Sequence, residues 1–569
     1  MVVVAVNVAP SSNLTDVDEA HSIIRFFNRL TMSLRLDKLL LAAALAACAI
    51  IPDTFFPPAA AATPSLPTAN AAAPKTTPIE TGISWYKGDV DSAFGVAKAD
   101  NRPVFLYWGA VWCPPCNQVK ATIFNRQDFI ERSRFFVPVY IDGDSPSAQR
   151  LGARFKVSGY PTMILLKPDG TEITRLPGEV DAEQYMRVLT LGMNGARPVK
   201  QTLAAALAHD GAKLTPEDWR MLAYYSWETD EQQLLNKEKV AATLRRLALA
   251  CPADQPETAV RLKLQALVAA AKAKDARPRD DRIATAQLMP VLADPKLARE
   301  NFDLLVYYPH EVANLVTLPK SPERARVVAA WNAALERLIA DTSLSTADRL
   351  SVVDAEVALA KLDAPKATLA DALLKTVREE ATRADRETSD PYARQAVISG
   401  AAEVLENAGL GDESDALLKR ELTRTHYPYY FMLGLAANAK KRGEKSAAVE
   451  WAEKAYTAAE GDATRLQWGA SYINTMIDLA PQDSARIERA ALKVIGELDP
   501  TPDTFYERNR RSLERIGMKL AAWNKDSRHD DALKRIRARM ASVCAKLSAS
   551  DPARTTCSSV LRPAASAKA

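Results

Sequence analysis

Two cysteines separated by two residues, in Trp112-Cys113-Pro114-Pro115-Cys116, constrain this chain more than any other feature. They follow an apolar run, Val104-Phe105-Leu106-Tyr107-Trp108, that reads as a buried strand. They open onto Cys116 to Phe124, which reads as a helix. Further along, Val157-Ser158-Gly159-Tyr160-Pro161-Thr162 is a loop whose proline precedes the next apolar strand. Such a pair can close a small disulfide and reopen it, so strand, CxxC at a helix start and a distant X-Pro-Thr form a redox context. The alternatives are a structural disulfide and half of a zinc site. Zinc would need two more ligands, there is no second CxxC, and His21, His209, His310, His426 and His529 all lie outside the surrounding segment.

The elements around the motif alternate. Asp89 to Ala99 reads as a helix, Pro103 to Trp108 and Phe136 to Ile141 as strands, and Ala148 to Phe155 as a helix. Met163 to Leu166 and Glu172 to Leu176 are strands joined across the turn Pro168-Asp169-Gly170, and Asp181 caps a last helix through Leu191. This order predicts an α/β sheet with helices on both faces.

The chain has 569 residues, which predicts more than one domain. Its 74 basic and 70 acidic residues nearly cancel, giving no argument for nucleic acid or an acidic surface as partner. Residues 1–50 read as an upstream extension and signal sequence. Met32 is the expected start, followed by Arg35, Lys38 and an apolar run from Leu39 to Ile51. At about 13 residues that run is too short to span a bilayer and suits an export signal. Leu45-Ala46-Ala47-Cys48 resembles a lipobox with Cys48 as lipidation site, whereas Ala69-Asn70-Ala71 suits an ordinary signal peptidase. Cys48 also reads simply as a small apolar residue of the signal. Either cut places the folded part outside the cytoplasm, in the periplasm or tethered to a membrane, where disulfides persist. Residues 51–82 are rich in Ala, Pro and Thr and read as a linker.

Beyond Pro198 the texture changes. Eleven of the 21 glycines fall between Gly82 and Gly195, and none between Gly211 and Gly400. Apolar residues recur at helical spacing, as in Val240, Leu244, Leu247 and Cys251, or Leu533, Ile536, Met540, Val543 and Leu547. Thr215-Pro216-Glu217-Asp218 is a strong helix start. Residues 198–569 are therefore expected to be all-helical with a flexible tail. Leu435-Ala436, Gly443, Ala448 and Ala455, partly echoed by Gly411 and Ala416, resemble a tetratricopeptide repeat, although generic paired helices suffice. Trp219, Tyr224, Tyr225 and Trp227 read as packing within the first helical pair, in preference to a contact surface. Lys440-Lys441-Arg442 and the trio Arg508, Arg510 and Arg511 read as solvated faces.

Residues 83–197 resemble a thioredoxin-fold domain, most of all that of exported thioredoxin-like proteins and the C-terminal domain of the DsbD membrane reductases. The shared features are the strand before the motif, the CxxC, the Gly159-Tyr160-Pro161-Thr162 loop and Gly178 before the last helix. The resemblance implies that Cys113 is the nucleophile, with its thiolate favoured at a helix N-terminus, and that Cys116, more buried, resolves the mixed disulfide. It implies a cis Pro161, supported by Thr162, that presents backbone to an extended substrate, and a rim of Trp112 and Tyr160. No cofactor beyond the Cys113–Cys116 disulfide is expected. Two departures matter. Tyr107 stands where thioredoxin has a buried aspartate, and Pro114-Pro115 replaces both thioredoxin's glycine and the histidine of DsbA. The potential is thus expected nearer thioredoxin's about −270 mV than DsbA's about −120 mV.

Of the other cysteines, Cys251 reads as a small hydrophobe and Cys544 with Cys557 as a disulfide stapling the tail. The expected activity is an extracytoplasmic thiol:disulfide oxidoreductase, reducing or isomerising, acting on protein thiols with an electron donor or acceptor such as a membrane reductase. The rival is an envelope scaffold whose thioredoxin-like domain mainly recognises peptides. Metal delivery through the two cysteines is a third reading, without Met or His clusters to support it.

Overall fold

The computed structural model describes residues 82–561, except 158, 179, 195–196, 209–212 and 231–232. The expected signal sequence, Cys48, most of the linker and the extreme tail lie outside the described residues. The first part runs α1 (Val90–Asp100), β1 (Val104–Gly109), α2 (Pro114–Val119), α3 (Gln127–Arg132), β2 (Val137–Asp142), α4 (Ala148–Phe155), β3 (Thr162–Leu166), β4 (Glu172–Leu176) and α5 (Ala182–Met193). The short α3 is the one helix that the sequence pattern does not announce. A π-helical turn, Lys120–Phe124, continues α2.

The sheet has the order β2-β1-β3-β4. β1 pairs parallel with β2 and antiparallel with β3, and β3 pairs antiparallel with β4. All of β1 is buried, as the unbroken apolar run from Val104 requires of a strand covered on both faces. Phe105 anchors an aromatic cluster with Phe124, Phe129 and Phe136, with ring centroids 4.9 to 6.2 Å from Phe105. This four-stranded mixed sheet with its helices is the α/β arrangement that the sequence predicts. Everything described beyond Pro198 is helix, turn or loop, apart from one isolated bridge between Val157 and Asp230.

Sequence signals explain the helix ends. Thr215 and Asp218 form a reciprocal capping box, as do Ser345 and Asp348. Gly443 closes the helix Pro428–Arg442 in the left-handed region (φ 79°). The residue that matches it in the preceding helical pair is Gly409 (φ 90°), not Gly411, which opens the next helix. Among the described residues, no helix is long and apolar enough to cross a membrane.

The two regions share one apolar core, which runs from the sheet into the helices between 428 and 561. The aromatic cluster at 219–227 belongs to this junction and not to a helical pair alone. The Tyr225 hydroxyl donates to Glu172 of β4 (3.2 Å), Gln184 of α5 bonds the Tyr224 hydroxyl, and Ser226 N donates to Arg175 O (3.1 Å). Arg261 lies over the Tyr224 ring (3.9 Å) and is paired with Asp303 at 2.7 Å in the interior. Lys440, Lys441 and Arg442, expected to be solvated, make half-buried ion pairs with Asp478, Glu406 and Asp415.

Cys544 and Cys557 are joined across 13 residues with a Cα–Cα distance of 5.6 Å, tying the helix Pro552–Ser559 to the helix Asp530–Cys544. Cys251 is a free thiol at the end of the helix Lys237–Ala250. Non-reducing peptide mapping should recover a Cys544–Cys557 peptide, and replacing both by serine should lower stability by about 2–4 kcal/mol. Alkylation of Cys557 without reductant would contradict the staple.

A covered dithiol as candidate active site

The motif folds as its residue types require. β1 ends at Gly109, and Cys113 is the N-cap of α2, its Sγ accepting from Cys116 N at 3.4 Å. Pro114 and Pro115 occupy the first turn, where a backbone N–H has no helical partner to lose. Asn117 Nδ2 donates to Val111 O (2.8 Å) and fixes the approach loop. Cys116 Sγ donates to Cys113 Sγ at 2.6 Å. The Tyr160–Pro161 peptide is cis, Thr162 Oγ1 donates to Gly159 O (2.8 Å), and a Cβ on Gly178 would meet the Pro161 ring at 3.4 Å.

Burial controls the electrostatics. It is the first cause that pushes the Cys116 thiol well above its ordinary range; the hydrogen bond and charge of Cys113 add to it, while Ala110 N–H and Lys120 oppose it. Tyr107 lies entirely inside, with its hydroxyl 3.5 Å from Cys116 O. Desolvation also raises it well above the usual tyrosine value, so it does not replace an aspartate as proton acceptor. The ionisable groups nearby are Lys120 and Asp142. Burial lowers the Lys120 pKa, against the pull of Cys116, Cys113 and Asp142, and its Nζ stands 5.8 Å from the Tyr140 ring centre. Burial raises Asp142. Lys120, one helical turn beyond Cys116, is thus the cation that favours a thiolate there.

The sulfurs do not face solvent. Cys113 and Cys116 are both 0% exposed, where a more accessible Cys113 was expected, and Trp112 and Tyr160 are 1% and 6% exposed instead of forming an open rim. The helical region covers them. Trp112 packs against Trp468 (4.6 Å) and stacks on Tyr430 (6.0 Å), and its carbonyl accepts from Gln395 Nε2 (3.1 Å). Its indole N–H donates to Thr464 Oγ1 (2.7 Å) and, more weakly, to Asp144 (3.3 Å). Arg508, expected to be solvated, is 4% exposed and lies 4.5 Å above the Tyr160 ring. The helix Pro391–Ala408 packs along α2.

Asp144, just past β2, is the polar centre of this contact. Its carboxylate accepts from Thr464 N and Thr464 Oγ1, each at 2.6 Å. Desolvation, then Asp142, pushes its pKa up to about 7 against the bonds from Thr464 and Trp112. Asp142 and Asp144 directly follow the strand run that ends at Ile141, and no sequence pattern marks them out. Gln395, Tyr430, Thr464, Trp468 and Arg508 lie so far along the chain that no local signal connects them to the motif.

The sign of the Asp144 effect follows from the raised folded-state value. Between about pH 4 and about pH 7 the folded protein holds a proton that the unfolded chain has lost, so stability falls as pH rises through that window and levels above it. Asp144→Asn should remove up to about 4 kcal/mol of this pH dependence, at 1.36 kcal/mol per pKa unit. Denaturation midpoints of both proteins across the window measure it; a constant difference between them would contradict the assignment.

Residues 90–192 match the family described as thioredoxin-like domain. A stretch of 103 residues is 30% identical to the thiol:disulfide interchange protein DsbD of Pseudomonas fluorescens, covering 17% of this chain and 18% of that protein. DsbD 2 of Pseudomonas aeruginosa is 29% identical over 102 residues, 17% of each. The chain thus spans less than a fifth of these curated relatives. A solved structure described as DsbH Oxidoreductase aligns over 22% of this chain and 95% of its own, at 19% identity and a TM-score of 0.19. Residues 90–192 are a thioredoxin-like domain related to the DsbD proteins, here joined to a long helical region.

Proposed function

We propose that the chain is an extracytoplasmic thiol:disulfide oxidoreductase that works through Cys113 and Cys116 in the reducing or isomerising direction. The observation that carries this reading is the pair of sulfurs in contact at 2.6 Å at the head of α2, in a domain whose cis Pro161 supports the same site. The Cys113 thiolate attacks one sulfur of a client disulfide, forming a mixed disulfide and releasing the other sulfur as a thiol after it takes a proton. Cys116 then loses its proton and attacks Cys113 Sγ, forming the internal disulfide and releasing the second client thiol. Two electrons pass to the client, and Lys120 stabilises the Cys116 thiolate at the second step. A donor of two electrons, such as a membrane reductase, restores the dithiol. In isomerisation the first step alone suffices, and the client's own thiol displaces Cys113.

Pro114-Pro115, without a histidine between the sulfurs, supports a potential on the reducing side. The signal-like run at 39–51 supports export, and Cys48 gives the chain a lipid anchor in the lipoprotein form of this reading. A second reading, a scaffold whose thioredoxin-like domain recognises peptides, draws on the complete burial of Cys113. Cys116→Ala separates the two. It should accumulate reductant-sensitive mixed disulfides through Cys113 in vivo and lose insulin reduction, whereas a pure binding module would trap nothing and the unaltered protein would leave insulin intact.

A further inference from the structure

Disulfide exchange needs the incoming sulfur to approach Cys113 Sγ in line with the bond being broken, and reactive cysteines are accordingly at least partly accessible. Cys113 here is 0% exposed, and so is Cys116. On the side facing the sheet the motif packs against buried strand and aromatic core. The residues beside the sulfurs are overlaid by parts of 391–508: the helix Pro391–Ala408 packs along α2, Gln395 bonds the Trp112 carbonyl, Tyr430 and Trp468 pack on its ring, and Arg508 lies over Tyr160.

This cover shares the apolar core around Trp112, Tyr430 and Trp468 and is pinned at its margin by polar contacts. The helix Asp462–Leu479 has no side-chain cap of its own, because its N-cap is Gly461. Asp144 of the thioredoxin-like domain supplies the cap from outside, accepting from the N–H of Thr464 in the first turn. Gly461 permits the approach. It has φ +83°, and a Cβ there would lie 2.8 Å from the Asp144 carboxyl carbon. Asn509 N bonds Gln149 Oε1 (3.3 Å), and Arg150 pairs with Asp503 at 3.0 Å. Arg508 Nε, by contrast, is buried among the described residues with no hydrogen-bond partner. The carboxylate, amide and guanidinium groups of these latches can be rehydrated when the contact parts, so they set how readily the apolar part behind them opens.

We propose that residues 391–523 form a cover closed over the Cys113–Cys116 dithiol, latched by Asp144 on the N-terminus of the helix Asp462–Leu479, and that exchange with protein disulfides requires the cover to lift. This rests on the thiol–disulfide reading for its consequence, but the cover itself is tested by accessibility. Small reagents reach Cys113 through brief local openings, whereas a protein-sized partner needs the helices displaced.

The test uses the full chain and two changes on the helical side, neither in contact with a sulfur: Gly461→Ala, which drives a methyl group against Asp144, and Thr464→Val, which removes the hydroxyl bonds to Asp144 and Trp112. Circular dichroism and melting curves establish that each variant is folded. Alkylation of Cys113 is followed with N-ethylmaleimide and with a maleimide on a long polyethylene glycol chain. In the unaltered protein the large reagent should be slower by at least about tenfold beyond its slower reaction with an unfolded control. Either folded variant should raise the large-reagent rate by about five- to tenfold, which corresponds to losing roughly 1 kcal/mol, the worth of a helix cap for Gly461→Ala and of the hydroxyl hydrogen bonds for Thr464→Val. Equal large-to-small rate ratios in all three proteins and the unfolded control would overturn the cover. Reduction of insulin and of oxidised glutathione is then compared. Faster insulin reduction by the variants with unchanged glutathione turnover supports gating, and equal insulin rates in all three overturn it. Variants that alkylate faster but reduce neither substrate leave the cover standing and remove the exchange reading instead.

Discussion

A carboxylate from one part of the chain caps a helix from another. Asp144 follows β2, and the N–H group it satisfies belongs to Thr464, more than three hundred residues later. The helix begins at a glycine that offers no side-chain oxygen, so its first turn is complete only when the thioredoxin-like domain is in place. The same carboxylate and the Thr464 hydroxyl hold the indole of Trp112, the residue before Cys113. One ionisable group therefore joins helix start, indole and redox motif, and burial makes that group unusually reluctant to carry its charge.

The interior of the site redistributes charge relative to a thioredoxin with a buried aspartate. Tyr107 fills the aspartate's position and packs edge-on to Phe124 and face-on to Tyr140, trading a titratable acid for aromatic contact. The charge that acts on Cys116 becomes that of Lys120, itself held by the buried Asp142. A buried ammonium favours a thiolate, whereas a buried carboxylate would oppose one until it accepted a proton. The charge that acts on Cys116 is thereby the ammonium of Lys120 and not an acid at the position of Tyr107.

Much of the domain was legible because its signals are local. The unbroken apolar run from Val104 demanded a buried strand, Asp181 demanded a helix start, and Pro168-Asp169-Gly170 demanded a turn; each acts within a few residues. Cys113, Cys116 and Pro161 were legible because motif spacing and element order agree. The cover was not. Arg508 sits among Arg510 and Arg511 in a segment that scans as a solvated helix, and only the arrival of Tyr160 beneath it changes that environment. Trp112 and Tyr160 scanned as a rim for the same reason: burial by a distant segment leaves no periodicity in the buried one. The aromatic residues at 219–227 looked self-contained, because the hydroxyl partners that explain Tyr224 and Tyr225 lie in α5 and β4.

Arg175 carries a further consequence. Its side chain on β4 is completely enclosed, with the guanidinium donating to Lys156 O (2.7 Å), Thr229 O (2.6 Å), Phe155 O and the Glu172 carboxylate. Two of those carbonyls precede the cis-proline loop, and one belongs to the segment after the first helices beyond residue 198. A cation so placed depends on all its acceptors, since an enclosed guanidinium that loses one has no water to replace it. The thioredoxin-like domain is therefore chemically finished by chain that lies outside it. A cut at residue 197, where the texture of the sequence changes, would leave the sheet its strands but take away part of the lining of its one enclosed arginine. The contacts that enclose Arg175 reach to Thr229, beyond the stretch 90–192 that sequence similarity outlines.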